Sequence, residues 1–156
     1  MARHDLVIAL RDLAILLTGV VGGGQLLMLW VVSTAANRTP PAESLRLHQV
    51  IMSTDLPDRY IQPAGILSFI TGAVLLAVGP RHAIDVTLIV IGMASIIGIA
   101  ILTRAVNRPI NRRLGTWTDA NLADYPAERR RWDRSHAVRT ALGMLGFAAY
   151  IALASH

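Results

Sequence analysis

Four apolar runs, each close to the length that crosses a bilayer, constrain this chain more than anything else in it. The hydrocarbon core of a membrane is about 30 Å thick and a helix rises about 1.5 Å per residue, so a span needs about 20 mainly apolar residues. Such runs cover about residues 11–33, 61–79, 84–104 and 136–155. The first contains LAILLTGVVGGGQLLMLWVV, with Gln25 its only strongly polar residue. Hydrophobic residues make up 53% of the 156 and charged ones 16%, against about 25% charged in soluble domains. A water-soluble core of this size cannot hide so much apolar side chain, so lipid is the second solvent. The expected fold class is all-α: one integral membrane domain over residues 1–156, a four-helix bundle.

The polar segments between the runs organise the rest. With four spans, the two long loops, 34–60 and 105–135, emerge on one face, while the termini and the short turn around Arg81 lie opposite. The loops carry helix signals of their own. Thr39-Pro40-Pro41-Ala42-Glu43 reads as a helix start leading into an apolar stripe over 44–52. Asp124 or Tyr125 before Pro126 offers a second start, which runs straight into the fourth span. Helix three extends past Thr103 until Pro109 breaks or kinks it. A small helical head on one face of the bundle follows.

Fifteen basic residues, all Arg, give a formal net charge of +5. That balance fits nucleic acid in a soluble protein, but here the arginines flank apolar runs, as membrane flanks do, and no nucleic acid partner is expected. Twelve lie on the long-loop side, and only Arg3, Arg11 and Arg81 lie on the other. The positive-inside rule puts the long loops in the cytoplasm and both termini outside. Without cysteine there is no disulfide, iron–sulfur cluster or thiolate metal site. No dinucleotide fingerprint, P-loop or GxSxG elbow is present.

Chemistry concentrates near the head. Trp132, His136, Arg139, Gly143, Gly146 and Tyr150 follow steps of four and three, so they share one helical face. His136 and Arg139 fall where the helix enters the membrane, a position where ionisable groups are costly and usually functional. The plainer reading is an Arg139 that snorkels to phosphate and a Trp132 in the interfacial aromatic belt. Asn107 and Asn111 stack four apart, as two non-titrating carboxamides able to hold a carbonyl or an oxyanion, or as helix caps. His48, on the same membrane side as His136, offers with it a base and a partner, or two metal ligands, although no HxxxH or HxxE spacing supports a metal. Asp58 and Arg59 either complete a site or pair with each other. The run Gly22-Gly23-Gly24 marks a close helix contact or a pocket wall.

The string Asn107-x-Pro109-Ile110-Asn111, then Leu114, Trp117, Arg131-Trp132-Asp133 and His136-x-x-Arg139 opening the last span, resembles the anthrone oxygenase-like integral membrane family. Within it the chain is more similar to the bacterial branch than to the fungal polyketide enzymes. The resemblance implies an oxygenase in a bacterial inner membrane that uses O₂ on a hydrophobic aromatic, anthrone- or phenol-like substrate. His136 or His48 would remove a proton to form a carbanion. Arg139, Asn107 and Asn111 would stabilise the oxyanion. Trp117 and Trp132 would stack the flat substrate, with Tyr150, Asp58 and Arg59 as further contacts. No cofactor is expected, the alternative being a single metal on His48 and His136. The competing reading is a non-catalytic ligand- or lipid-binding bundle, or a subunit of a larger membrane complex; a homo-oligomer fits either.

Overall fold

Each apolar run forms a helix, and at the head the helices continue beyond the runs. The computed structural model describes residues 2–54, 57–79 and 82–155. The chain is 91% helical, with no strand among the described residues. The helices are α1 (Ala2–Leu27), α2 (Ser33–Arg38), α3 (Pro41–Ser53), α4 (Gln62–Val78), α5 (Ala83–Leu102), α6 (Arg108–Leu114) and α7 (Tyr125–Ala154). Wider π turns at Met28–Val32 and Thr103–Asn107 join α1 to α2 and α5 to α6, and a third, Pro57–Ile61, leads into α4. Four rods result: Arg3–Arg38, Arg59–Val78, Ala83–Leu114 and Tyr125–Ala154, each long and apolar enough to cross a membrane. They form an integral membrane bundle.

The rods form a ring in which α1 and α5 each pack against both α4 and α7. Their outer faces carry large apolar residues such as Leu16, Leu27, Ile70, Ile101 and Leu145, the surface that lipid requires. Their inner faces mix apolar residues such as Leu75, Ile89 and Ile99 with small or weakly polar ones. Thr18, Ser95 and Thr140 are buried and return their hydroxyls to carbonyls one turn back. Where α1 crosses α7, Gly22 meets Gly143 so closely that a Cβ on Gly22 would stand 3.1 Å from the Gly143 carbonyl oxygen. Gly24 instead faces Ile61 and forms part of a cavity wall.

At two places the helices run beyond the apolar segments. Helix three was expected to break or kink at Pro109, yet it continues to Leu114. The π turn before it lets the Arg108 N–H reach back to the Thr103 carbonyl, and this wider turn makes room for the proline ring. The first helix starts at Ala2, ahead of the apolar run that begins near residue 11, and its Arg3 donates two hydrogen bonds to the Val78 carbonyl at the end of α4 (3.1 and 2.9 Å). The short turn through residues 80–81, Arg81 included, lies outside the described residues.

The two loop segments meet in one head. Helix α3 packs on α2, α6 and the first turns of α7. At 30 residues, α7 is about 45 Å long, so about ten residues project past a 30 Å hydrocarbon core. The head has its own core of Leu45, Ile110, Leu114, Tyr125 and Trp132, with Trp117 and Leu122 against it. The Gln49 amide ties α3 to the end of α6 by donating to the Leu114 and Trp117 carbonyls (2.8 and 3.0 Å).

Candidate functional site

A cavity of about 400 Å³ opens where the bundle meets the head. Most of its wall is apolar, contributed by the head-side turns of α1, α4 and α5. Its polar end is built by the continuation of α5 into α6 and by α7, which bring Asn107, Asn111, Trp132, His136 and Arg139 to one surface. Thr103 and Asn107, the first and last residues of the π turn, both line the cavity, as residues four apart on one face do.

The hydrogen bonds fix the state of His136. Its Nε2 lies 3.0 Å from the Gln25 main-chain carbonyl, which can only accept. Its Nδ1 lies 2.7 Å from Arg139 Nη2, which can only donate. The ring is therefore neutral, protonated on Nε2, with its one lone pair held by the guanidinium. Thr140 donates to the His136 carbonyl (3.0 Å) and holds this turn of α7 against Gln25. His136 also stacks on Trp132, with ring centroids 4.8 Å apart.

Arg104, Arg108 and Arg139 all line the cavity, and Arg139 is the one bonded to His136. Besides His136 it donates from Nη1 to Thr103 Oγ1 (2.9 Å), while its buried Nε has no partner. No carboxylate among the described residues pairs with it. A half-buried guanidinium held by two neutral groups at the end of an apolar cavity is a receptor for an anionic or strongly polarised oxygen.

The two asparagines serve as braces as well as wall. The Asn111 carboxamide oxygen accepts from Trp132 Nε1 (2.8 Å), and the Asn107 oxygen accepts from Ser135 Oγ (2.7 Å). Each spends its oxygen on α7, leaving an NH₂ group, while the Asn111 side chain also acts on His48. For Asn107 that group has only a long 3.5 Å contact to the Trp132 carbonyl. The polar end is thus rich in donors. One buried acceptor stands out: Gln25 Oε1, in the cavity wall, has no partner.

His48 lies just outside this cavity. It is buried edge-on against Trp132 (centroids 5.5 Å apart) and borders a second, more open pocket with Gln49, Ser53 and Arg112. Asn111 and Met52 line both spaces. Its Nε2 is buried without a partner. Burial lowers its pKa to about 4, and the charge of Arg129 acts in the same direction, against smaller opposing effects of Asn111 and Asp133. His48 is therefore neutral at pH 7.

The structure brings Asn107, Asn111, Trp132, His136 and Arg139 together at one cavity and sets His48 against Trp132 from the neighbouring pocket. Trp117 packs in the head core, away from the cavity lining. Tyr150 lies in a cluster with Ala14, Leu75 and Ile89 towards the other end of the bundle. Arg59 is exposed on the turn before α4, and the side chain of Asp58 lies outside the described residues. Reading the chain by motif missed Gln25 as a participant, although its isolation in an apolar span was a visible signal. It also missed the buried network in which Arg129 bonds Asp133 and Ser33 (3.0 to 3.2 Å) while lying 5.0 Å from the Trp132 ring centre. An Arg and an Asp four apart were legible as a pair, but their partner Ser33, 96 residues from Arg129, was not.

A family model described as Anthrone oxygenase matches residues 56–149, more than half of the chain, and no curated protein and no solved structure matches it.

Proposed function

Because the chain belongs to the anthrone oxygenase family, we propose that it is a membrane-bound oxygenase that takes a flat, hydrophobic, anthrone- or phenol-like aromatic into the head-end cavity and oxidises it with O₂. The observation that carries this reading is Arg139: a cation with no carboxylate partner among the described residues, held in place by Thr103 and a neutral His136, in the wall of a largely apolar cavity. An anthrone carbanion places its charge on the ring oxygen, where Arg139 and the NH₂ groups of Asn107 and Asn111 would meet it. The Trp132–His136 stack gives the flat ring system a face to lie along.

The chemistry balances without any added reductant. A base removes one methylene proton, and the carbanion adds O₂ to give a peroxide at that carbon. Loss of the second C–H proton then cleaves the O–O bond and leaves a ketone and water. His136 already has its lone pair bound to Arg139, so its part here is to aim the guanidinium. His48 has the free buried nitrogen, and we assign it the proton, relayed past Asn111 by a water. Protonated His48, disfavoured by burial, passes the proton on to the open pocket.

A metal shared by His48 and His136 fits these residues poorly, because both ring nitrogens of His136 are engaged and no third His, Asp, Glu or Cys clusters with them among the described residues. We read the head end as cytoplasmic, because it carries twelve of the fifteen arginines. The test is oxygen consumption by the purified protein in nanodiscs given anthrone, with one O₂ used per ketone formed and a rate above the protein-free autoxidation. Tight retention of an aromatic or a lipid with no oxygen uptake would instead support a binding bundle.

A further inference from the structure

The cavity is not sealed from the membrane side. Two of its wall residues, Ile66 on α4 and Ile97 on α5, also belong to the outer apolar surface, at 61% and 47% exposure. A residue that borders the cavity and also faces outward marks a mouth, and here one stands on each of two adjacent helices. Ile66 lies four residues into α4 from its head end and Ile97 five residues before the end of α5. At about 1.5 Å per residue, both sit about 6–8 Å from the ends of α4 and α5, inside the apolar rods Arg59–Val78 and Ala83–Leu114 and not among the loops. Further from the head the gap closes: Gly72 on α4 lets Met93 of α5 pack so close that a Cβ there would stand 2.8 Å from its Cγ.

We infer that the gap between α4 and α5 at Ile66 and Ile97 is a lateral portal through which the aromatic substrate passes from the bilayer interior to Arg139 without crossing water. This deepens the proposed function and takes its cavity as the substrate site. The direction of polarity supports it. The wall contributed by α4 and α5 beside Ile66 and Ile97 is apolar (Phe69, Ala100), while the donors Asn107, Asn111 and Arg139 come from the continuation of α5 and from α7. A compound that partitions into membranes is concentrated in the bilayer, so a mouth between the apolar rods avoids the cost of returning it to water. On the head side of the mouth Arg108 donates to Gln62 (3.1 Å), a bond between the same two rods that bounds the opening, while Ile66 and Ile97 themselves are apolar.

The chain has no native cysteine, which makes a direct test clean. Ile66→Cys and Ile97→Cys, both on the outer surface, can be joined by a flexible bis-maleimide whose spacer a reductant cleaves. In a Trp30→Phe/Trp117→Phe background, Trp132 in the cavity wall is the one remaining tryptophan. The readout is the rate at which bilayer-dissolved 9,10-anthraquinone quenches its emission in nanodiscs. The cross-linked protein should bind at least tenfold more slowly than the same sample after cleavage. Equal rates before and after, with cross-linking verified by mass, overturn the portal. Oxygen uptake read on the same samples separates the two ideas. Turnover that ignores the cross-link defeats the portal alone, while cross-link-sensitive binding without any turnover defeats the oxygenase alone.

Discussion

At the far end of the bundle Tyr150, Leu75, Ile89 and Ala14 pack into a closed cluster, whereas at the head end Trp132, His136 and Arg139, from the same face of the same helix, border an open cavity. Both ends bury polar atoms that lack a protein partner, such as the Tyr150 hydroxyl at one and Arg139 Nε and Gln25 Oε1 at the other. The surroundings differ. Tyr150 is wedged against Gly72 and Gly92, which have no side chains to clear and leave no room for a ligand. At the head, π turns interrupt the first and third rods and precede α4, and Thr103, Arg104 and Asn107 of the third rod's turn line the cavity. One face of one helix therefore serves packing at one level and recognition at another, and depth along the bundle decides which.

The largest effect should come from removing the cation. Arg139→Met keeps the bulk and removes the charge; it is expected to lower turnover by about 100-fold or more, the scale for losing a preorganised oxyanion donor. Tyr150→Phe, at the closed end, should stay within about threefold of the parent. Comparable losses in both variants, with α-helical circular dichroism intact, would erase the distinction between the two ends.

Next in size is a packing change that should affect the closed end alone. Gly92→Ala drives a Cβ into the Tyr150 ring, and overpacking of this kind costs about 1–3 kcal/mol. The denaturation midpoint in mild detergent should fall, while anthraquinone affinity, read at a temperature where the variant is folded, changes little. A large loss of affinity without a change in midpoint would mean that the far end reaches into the site after all.

The smallest effect concerns His48 and pH. Its folded pKa, about 4, lies below the ordinary histidine value of 6.5. As pH falls below 6.5, the unfolded chain takes up a proton that the folded chain refuses until about pH 4. The stability contributed by neutral His48 is thus fully present above pH 6.5 and is lost progressively between 6.5 and 4. His48→Gln should flatten that part of the stability–pH curve, measured by denaturant titration at pH 7 and pH 5. An unchanged slope would place His48 in a more solvated setting than its burial indicates.

Much of this comparison could be read from the chain, within a definite limit. Four apolar runs set the bundle, because lipid leaves a long apolar segment few alternatives to a helix. Periodicity in threes and fours put Trp132, His136, Arg139, Gly143, Gly146 and Tyr150 on one face. Periodicity reports angle around a helix and not depth, so it could not show that Gly143 meets Gly22, that Tyr150 seals the far end, or that only the first three residues reach the cavity. The role of Gln25 was hidden for another reason: its main-chain carbonyl fixes the His136 tautomer, and a carbonyl leaves no mark in a sequence. Trp117, an aromatic beside the motif, was indistinguishable from a stacking residue until Gln49 was seen to bind its carbonyl and hold it in the head.

Isotope tracing of the oxygen atom tests the oxygenase reading most directly. Purified protein in nanodiscs is given anthrone under ¹⁸O₂, and the ketone is analysed by mass spectrometry after brief turnover. One ¹⁸O in the new carbonyl, formed faster than in protein-free discs and reduced to the protein-free rate by Arg139→Met, is the expected result. Label appearing at the protein-free rate, or at equal rates with and without Arg139, would contradict it.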